Sequence, residues 1–549
     1  MTTNRGAVLP LTAAQAEIWF DEQFTTGPLA YNMADYLDLR GPLDPGLLDR
    51  ALTRLSHEAE GLRVQFVEED GAPGQIVRPL ARVPLKTLDF STEAEPLAAA
   101  EQWMRADHGN PLKVTDFPLF RGALIRLTDE HHLLYLCMHH ILADGYSRSL
   151  LYPKLAELYA RLAAGTDGAA LDAAAMPPFQ ALLDAEQSYL ASARVERDRA
   201  YWTERLTSGA DGSVPELVSL SDRQPAPGRA CLRRTARLSE TATGALRELA
   251  REGKVTLPVM MVAAAAAYTQ RTTGVSEPLL TLPVTGRVGA VSREIPGMLA
   301  NYLPLALRVR PEMTRSQLLR RAWREVSNAL RHQRYRGDRV RRDIGLRTDD
   351  RRPFGPFINV LDQDPELAFG DGCHGTVVNI STGIVNDLII NVLNTADGTL
   401  EIHFDGNPEL YDEEELAVHL ARFTSFLTAL AEAPAEQPLG RIGLGAPGER
   451  LALLGSWDRA AERDGYEGLV ERVREVAART PDAIAVTDGR DSATYRELLS
   501  RAAAVAARLT EAGLTRGSVV AMLADPGVSF VAGVLGVLGA GGAYLPLDP

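Results

Sequence analysis

Two adjacent histidines and a carboxylate at fixed spacing carry the chemistry of this chain: Met138-His139-His140-Ile141-Leu142-Ala143-Asp144-Gly145-Tyr146-Ser147, an HHxxxDG arrangement. A neutral imidazole can take a proton from a nucleophile as it attacks, and histidine is the side chain that titrates closest to neutrality. Asp144, four residues after His140, can hold an arginine or a backbone amide and so fix the turn. Gly145 lets backbone and substrate approach closely, and its amide can polarise a carbonyl as an oxyanion donor. Cys137, two residues before His139, offers a thiol as an alternative nucleophile, against its commoner role as a small core residue.

The elements around these residues follow from hydrophobic spacing. Residues Leu133 to Met138 form an apolar run of strand length, and Leu151, Leu155, Leu158, Tyr159 and Leu162 then recur at helical spacing. The histidines therefore end a strand beside a helix N-terminus. Ser147 is placed as the N-cap, and the positive dipole end of the helix favours a neutral imidazole. Residues 1–175 mix strands and helices and close in the Ala/Gly/Asp-rich stretch Ala163 to Ala175, read as an exposed linker. A second α/β lobe spans 176–433 and ends in a helix over Tyr411 to Ala433, with Leu416, Leu420, Phe423, Phe426, Leu427 and Leu430 on one face. Two such lobes around one motif imply a cleft between them. Residues 434–465, rich in proline and glycine, read as a linker. Within it Gly443-Leu444-Gly445-Ala446-Pro447-Gly448 matches GxGxxG by letter, but no clear strand precedes it, so it is not read as a dinucleotide loop. Residues 466–549 form a further α/β fragment: a helix over Leu469 to Ala478, a strand over Ala483 to Thr487, and a helix opened by Tyr495-Arg496-Glu497-Leu498.

Composition narrows the partners. A length of 549 residues exceeds the usual span of a single domain, and 45% hydrophobic content can fill several cores. A net charge of −14 argues against a nucleic-acid partner, which needs a basic face. Three cysteines, Cys137, Cys231 and Cys373, form no CxxC pair, so neither a disulfide framework nor a zinc site is expected, and a reducing cytoplasm is the simplest compartment. Residues Met1 to Pro10 lack the apolar stretch of a secretory signal. The charge-free run Gly527 to Pro546 has about the length of a membrane span. Its six glycines and its Tyr544-Leu545-Pro546-Leu547-Asp548-Pro549 ending fit a helix-turn-strand instead, and no membrane partner is expected.

The HHxxxDG segment resembles the central motif of condensation domains of nonribosomal peptide synthetases, relatives of chloramphenicol acetyltransferase. Leu11-Thr12-Ala13-Ala14-Gln15-Ala16-Glu17-Ile18-Trp19 resembles the family's opening SxAQxxLW segment, with Thr12 for serine. Ala59-Glu60-Gly61-Leu62-Arg63-Val64-Gln65-Phe66 resembles HExLRxxF, with Ala59 for histidine. Ile295 to Leu305 resembles IGxFVNxLPL, with Asn301 on its asparagine, and His332-Gln333-Arg334-Tyr335 and Arg352-Pro353-Phe354-Gly355-Pro356-Phe357-Ile358-Asn359 match the last two segments loosely. From Tyr466 the chain resembles the start of an adenylation domain, TYxEL followed by the GAGxAYLPLDP-like Gly539 to Pro549. The resemblance implies an α/β fold of two chloramphenicol-acetyltransferase-like lobes, a V-shaped pseudo-dimer with a central cleft. It also places the phosphate loop and catalytic residues of adenylation beyond this fragment, which is not expected to adenylate.

In this family the α-amine of an acceptor aminoacyl thioester attacks a donor acyl thioester, and both substrates ride on the phosphopantetheine arms of carrier proteins; no directly bound cofactor or metal is implied. His140 is assigned as base or positioner of the amine, Gly145 as a donor to the thioester carbonyl, and His139 as support for the fold or for its partner's tautomer. Asp144 is read as structural, paired with Arg287 of the segment Thr285-Gly286-Arg287, so that substituting it should damage folding as well as activity. Asn301 and Ser147 are candidates for substrate contact; for Asn301 a side-chain amide satisfying a turn is an equal alternative. His332 to Tyr335, Phe354 to Asn359 and Thr382-Gly383-Ile384-Val385-Asn386-Asp387-Leu388 together resemble the serine-activating synthetases of enterobactin assembly, siderophore enzymes whose donor is an aryl acid. Only ten residues precede the opening motif. The expected partners are therefore a donor carrier delivering an aryl or other acyl starter in trans, a downstream acceptor carrier, and the rest of the adenylation domain. The intact HHxxxDG argues against heterocyclisation, and the lack of an EGHGRE-like segment argues against epimerisation. A degenerate fold that only recruits carriers remains the non-catalytic alternative.

Overall fold

The apolar run Leu133–Met138 lies inside the strand His131–His139, which pairs antiparallel with Asn32–Arg40 on one side and Phe120–Thr128 on the other. The structure is a computed structural model that describes residues 7–24, 31–166, 176–207, 217–223, 231–346, 354–361, 365–381, 385–446, 448–449, 451–452, 454 and 468–548. Because this strand is central, both of its faces are buried, which explains a continuous rather than alternating apolar sequence. Leu133, Tyr135 and Cys137 enter one core with Ala100 and Met104 of the helix Pro96–His108. Leu134 enters another, built on the helices Pro45–Glu58 and Gly145–Ala163.

The full order of this six-stranded mixed sheet is Leu367–Gly370, Cys373–Asn379, Asn32–Arg40, His131–His139, Phe120–Thr128, Leu85–Asp89. Its first two strands come from far along the chain. Phe179, Leu182, Ile295 and Met298 also pack into the core beneath it. Residues beyond 175 thus complete the first lobe, an exchange between lobes that a linear reading of the chain does not show.

The second mixed sheet runs Leu232–Arg237, Leu400–Gly406, Leu388–Asn394, Phe357–Leu361, Leu279–Val284, Asn301–Ala306. The helices Leu257–Thr273 and Glu413–Glu432 contribute to its core. Every residue from Val259 to Tyr268 is buried, which accounts for the alanine-rich stretch: small side chains let the helix sit closely against its neighbours. The six apolar positions expected on one face of the 413–432 helix are its buried ones.

The chain divides into two compact units, Met1–Pro447 and Gly448–Pro549. The second has its own small core of Val470, Ala493, Leu498, Ala502, Val528, Ala532 and Leu535. Its charge-free run is the helix Val528–Gly539, a turn and the strand Ala543–Leu547, which pairs in parallel with Val519–Leu523. Among the described residues no helix is long and apolar enough to cross a membrane. Residues 167–175, 447, 450, 453 and 455–465 of the two expected linkers, together with Arg352, Pro353 and Thr382 to Ile384 of the family-like segments, lie outside the described residues.

Candidate active site

His139 is the last residue of its strand and is fully buried. Its Nδ1 accepts from the Ile141 amide at 3.1 Å, so the ring proton belongs on Nε2, which meets Glu22 Oε1 at 2.7 Å. That pair of contacts fixes both tautomer and ring orientation. Glu22 lies on the opening helix Ala13–Phe24, three residues beyond the segment Leu11 to Trp19 that resembles the family's opening motif. Nothing in the spacing points from residue 22 to residue 139; only the fold brings them together.

His140 follows in the turn, its amide donating to the Tyr31 carbonyl at 2.7 Å. The residue is partly exposed, yet its Nδ1 is buried and, among the described residues, lacks a hydrogen bond of standard geometry. Burial pushes the imidazole below the ordinary histidine range; nearby backbone carbonyls and the Asp144 carboxylate oppose that push, and His139 adds to it. The neutral form is therefore favoured. Cys137 is buried on its strand opposite Arg121 of Phe120–Thr128, and burial raises its thiol to about 11, which suits a core residue rather than a nucleophile.

The helix Gly145–Ala163 begins earlier than a Ser147 cap requires. Asp144, with extended backbone, is the N-cap, and Ser147 occupies the third helical position. The two form a capping box in which the Ser147 amide donates to Asp144 Oδ1 at 2.9 Å. Ser147 is fully buried, its hydroxyl shared among Asp144, Arg287 and the backbone of Gly297. No open face remains on it for a substrate.

Asp144 joins the motif to the second half of the chain. Its carboxylate accepts from Arg287 Nη2 at 3.0 and 3.2 Å and from the Leu299 and Ala300 amides at 3.1 and 3.0 Å. Arg287 in turn donates to the carbonyls of Ser292, Ile295 and Gly297, and its guanidinium lies 4.8 Å from the centre of the Tyr146 ring. Both side chains of the pair are 1% exposed. Gly286, just before Arg287, has φ +67, and a Cβ there would overlap the Leu299 carbonyl oxygen. A glycine is required where the 285–300 segment folds this tightly over the motif.

Gly145 presents the opposite case: it is exposed, has no positive φ, and among the described residues a Cβ added there would meet nothing within 4 Å. Its amide stands in the first turn of the motif helix, where no helical carbonyl is available to it. Asn301, at the start of its strand, uses all four hydrogen-bonding positions within the protein. Its Nδ2 donates to the carbonyls of Gln333 and Tyr335, and its Oδ1 accepts from Tyr302 and Gly337. The amide thus secures the 333–337 turn, the alternative that the sequence left equal to substrate contact. On the far side of the motif helix, Arg148 and Tyr152 donate to Asp35, which also accepts from Asn379 of the exchanged strand. Among the described residues no cluster of histidine, cysteine or carboxylate side chains is arranged to hold a metal.

Comparison with known proteins gives this geometry a context. A family model described as "Condensation domain" matches residues 6–454, and one described as "AMP-binding enzyme" matches residues 473–549. The dimodular nonribosomal peptide synthase of Bacillus subtilis (strain 168) is 35% identical over 98% of this chain and 22% of its own length. The isonitrile lipopeptide synthase of Streptomyces coeruleorubidus is 35% identical over 98% of this chain and 36% of its own length. Enterobactin synthase component F of Escherichia coli (strain K12) is 31% identical over 98% of this chain and 41% of its own length. The chain therefore spans roughly a fifth to two fifths of these relatives. Among solved structures, a mutant of the starter condensation domain of rhizomide synthetase RzmA in complex with C8-CoA is 36% identical, with a TM-score of 0.72, covering 80% of this chain and 98% of that one. The first condensation domain of the calcium-dependent antibiotic synthetase, in complex with a substrate analogue, is 33% identical, with a TM-score of 0.72, covering 80% of this chain and all of that one.

Proposed function

The chain belongs to the condensation-domain family of nonribosomal peptide synthetases and continues into the start of an AMP-binding domain, and on that premise we propose that it forms an amide between two carrier-bound thioesters. The observation that carries this reading is His140, an imidazole held neutral by burial in the turn between strand and motif helix. A neutral imidazole keeps one ring nitrogen with a free lone pair, which can take the proton of an incoming amine. The acceptor amine attacks the donor thioester carbonyl, a C–N bond forms, and the C–S bond breaks. The proton released by the amine passes through His140 to the leaving thiolate, while the Gly145 amide faces the oxygen on which charge develops. Asp144 and Arg287 hold the turn, and tethering of both substrates on phosphopantetheine arms supplies proximity.

The donor is proposed to be an acyl starter carried by a separate carrier protein, with an aryl acid or a fatty acyl chain as candidates. Support comes from the likeness to a starter condensation domain seen with C8-CoA and to enterobactin synthase component F. An acceptor carrier domain and the remainder of the AMP-binding domain complete the partners. Single-turnover assays with loaded donor and acceptor carriers, read by intact mass, test the reading. His140→Ala is expected to slow amide formation by about 10²- to 10⁴-fold. An unchanged rate in a folded variant would replace the catalytic reading with that of a carrier-recruiting platform. Product from a peptidyl-loaded donor but none from aryl- or fatty-acyl-loaded ones would overturn the starter assignment.

A further inference from the structure

We propose that the opening helix Ala13–Phe24 is a positioning element of the reaction centre, acting through a Glu17–Arg336 pair that holds the Ala300 peptide against Asp144. Arg336 is buried and directs Nε and Nη2 at the two carboxylate oxygens of Glu17. Its remaining nitrogen, Nη1, donates to the Ala300 carbonyl at 3.0 Å. The amide of the same Ala300 donates to Asp144 Oδ2 at 3.0 Å. One residue is thus gripped from both sides, by the motif carboxylate and by an arginine aligned from the first helix. Further along that helix Glu22 accepts from His139, the neighbour of His140.

These contacts close a ring: His139 to Glu22, along the helix to Glu17, across to Arg336, through Ala300 to Asp144, and back over four residues to His140. A guanidinium suits its place there because one planar fork can serve a carboxylate with two nitrogens and a carbonyl with the third. An ammonium is a single point charge and cannot hold both in the same geometry. Neither Glu17 nor Arg336 comes within 4 Å of a Cβ built at Gly145, so their effect on turnover, which rests on the amide-forming reading above, is exerted through Ala300, Asp144 and His139.

Glu17→Gln and Arg336→Lys in the full chain test the assignment. Turnover is measured with loaded carriers, and the histidines are followed by ¹⁵N NMR without substrate. Either variant is expected to lower kcat by about ten- to a hundredfold, as small misplacements at a reaction centre do, with KM for the loaded acceptor unchanged and the His139 and His140 resonances shifted. The double variant should lose no more than the worse single one, because both cut the same link. A folded variant with wild-type kcat and unshifted resonances, or a loss confined to KM, overturns the proposal. If Glu17→Gln does not fold, Arg336→Lys, which keeps the charge, carries the same comparison; if neither folds, the pair serves folding alone and the proposal falls. If the wild-type chain forms no amide, the functional reading fails by itself, and the histidine resonances still decide the positioning role.

Discussion

A base that must be neutral when its substrate arrives gains from burial, and His140, proposed for that role, combines a buried Nδ1 with a residue that is partly exposed. The acid limb of kcat should therefore lie below the ordinary histidine value of about 6.5, measurable as a pH–rate profile under single-turnover conditions. The sign for stability is the same. His132, His140 and His419 are all held down by burial, so the unfolded chain binds more protons than the folded one as acidity rises. Stability should be lost as pH falls below about 6.5, seen as a declining denaturation midpoint. Gly145 separates folding from function in a different way. With open space and no positive φ at this position, Gly145→Ala should leave stability within about 0.5 kcal/mol while lowering turnover, because the new methyl enters the space assigned to the thioester. Equal turnover in the variant would remove Gly145 from the site.

At the scale of elements, the motif is held in shape because a strand end, a helix start and a segment from the second half of the chain meet at one carboxylate. Asp144 caps its own helix, pairs with Arg287, and satisfies two amides of the 299–300 backbone. Removing one member of so enclosed a pair leaves the other charge buried and unpaired. Arg287→Met should cost about 3–5 kcal/mol in chemical denaturation, far more than the loss of an exposed ion pair. The strand, the helix and the Asp144–Arg287 partnership are legible in the sequence, the first two from apolar spacing and the third from family resemblance. The capping role falls to Asp144 and not to the expected Ser147. Aspartate and serine are both good N-caps, and only the extended backbone at residue 144 distinguishes them. The partner of His139 is not legible at all, since Glu22 reads as one more surface carboxylate of a short helix.

For the whole molecule, separate cores imply separate folding. Residues 1–447 contain both large sheets and their covering helices, while the second unit has a core of its own. The chain cut after Pro447 should keep the main thermal transition of the full chain and its rate of amide formation with loaded carriers, checked by calorimetry and intact mass. A large drop in either would show that the second unit supports the first. Several of the exposed apolar side chains belong to the second unit: Leu469, Ile484, Val519, Leu523, Leu545 and Leu547 all stand open. Apolar exposure on both strands of a two-stranded parallel sheet is what a fragment of a larger α/β core displays, in keeping with its match to the start of an AMP-binding enzyme.

The sequence by itself determined the family likeness and the main elements around the motif, because HHxxxDG and its companion segments are local patterns, and because apolar periodicity reports local geometry directly. It also determined the second unit, through a short run of strands and helices with turn residues between them. Tertiary structure alone decided which of the candidate side chains are enclosed. Ser147 and Asn301 spend their hydrogen bonds internally, whereas the space before Gly145 stays clear. It also decided the exchange of Leu367–Asn379 into the first sheet and the meetings of Glu22 with His139 and Glu17 with Arg336. Contacts between residues so far apart in the chain depend on how helices and sheets pack, and a pattern read a few residues at a time does not contain that information.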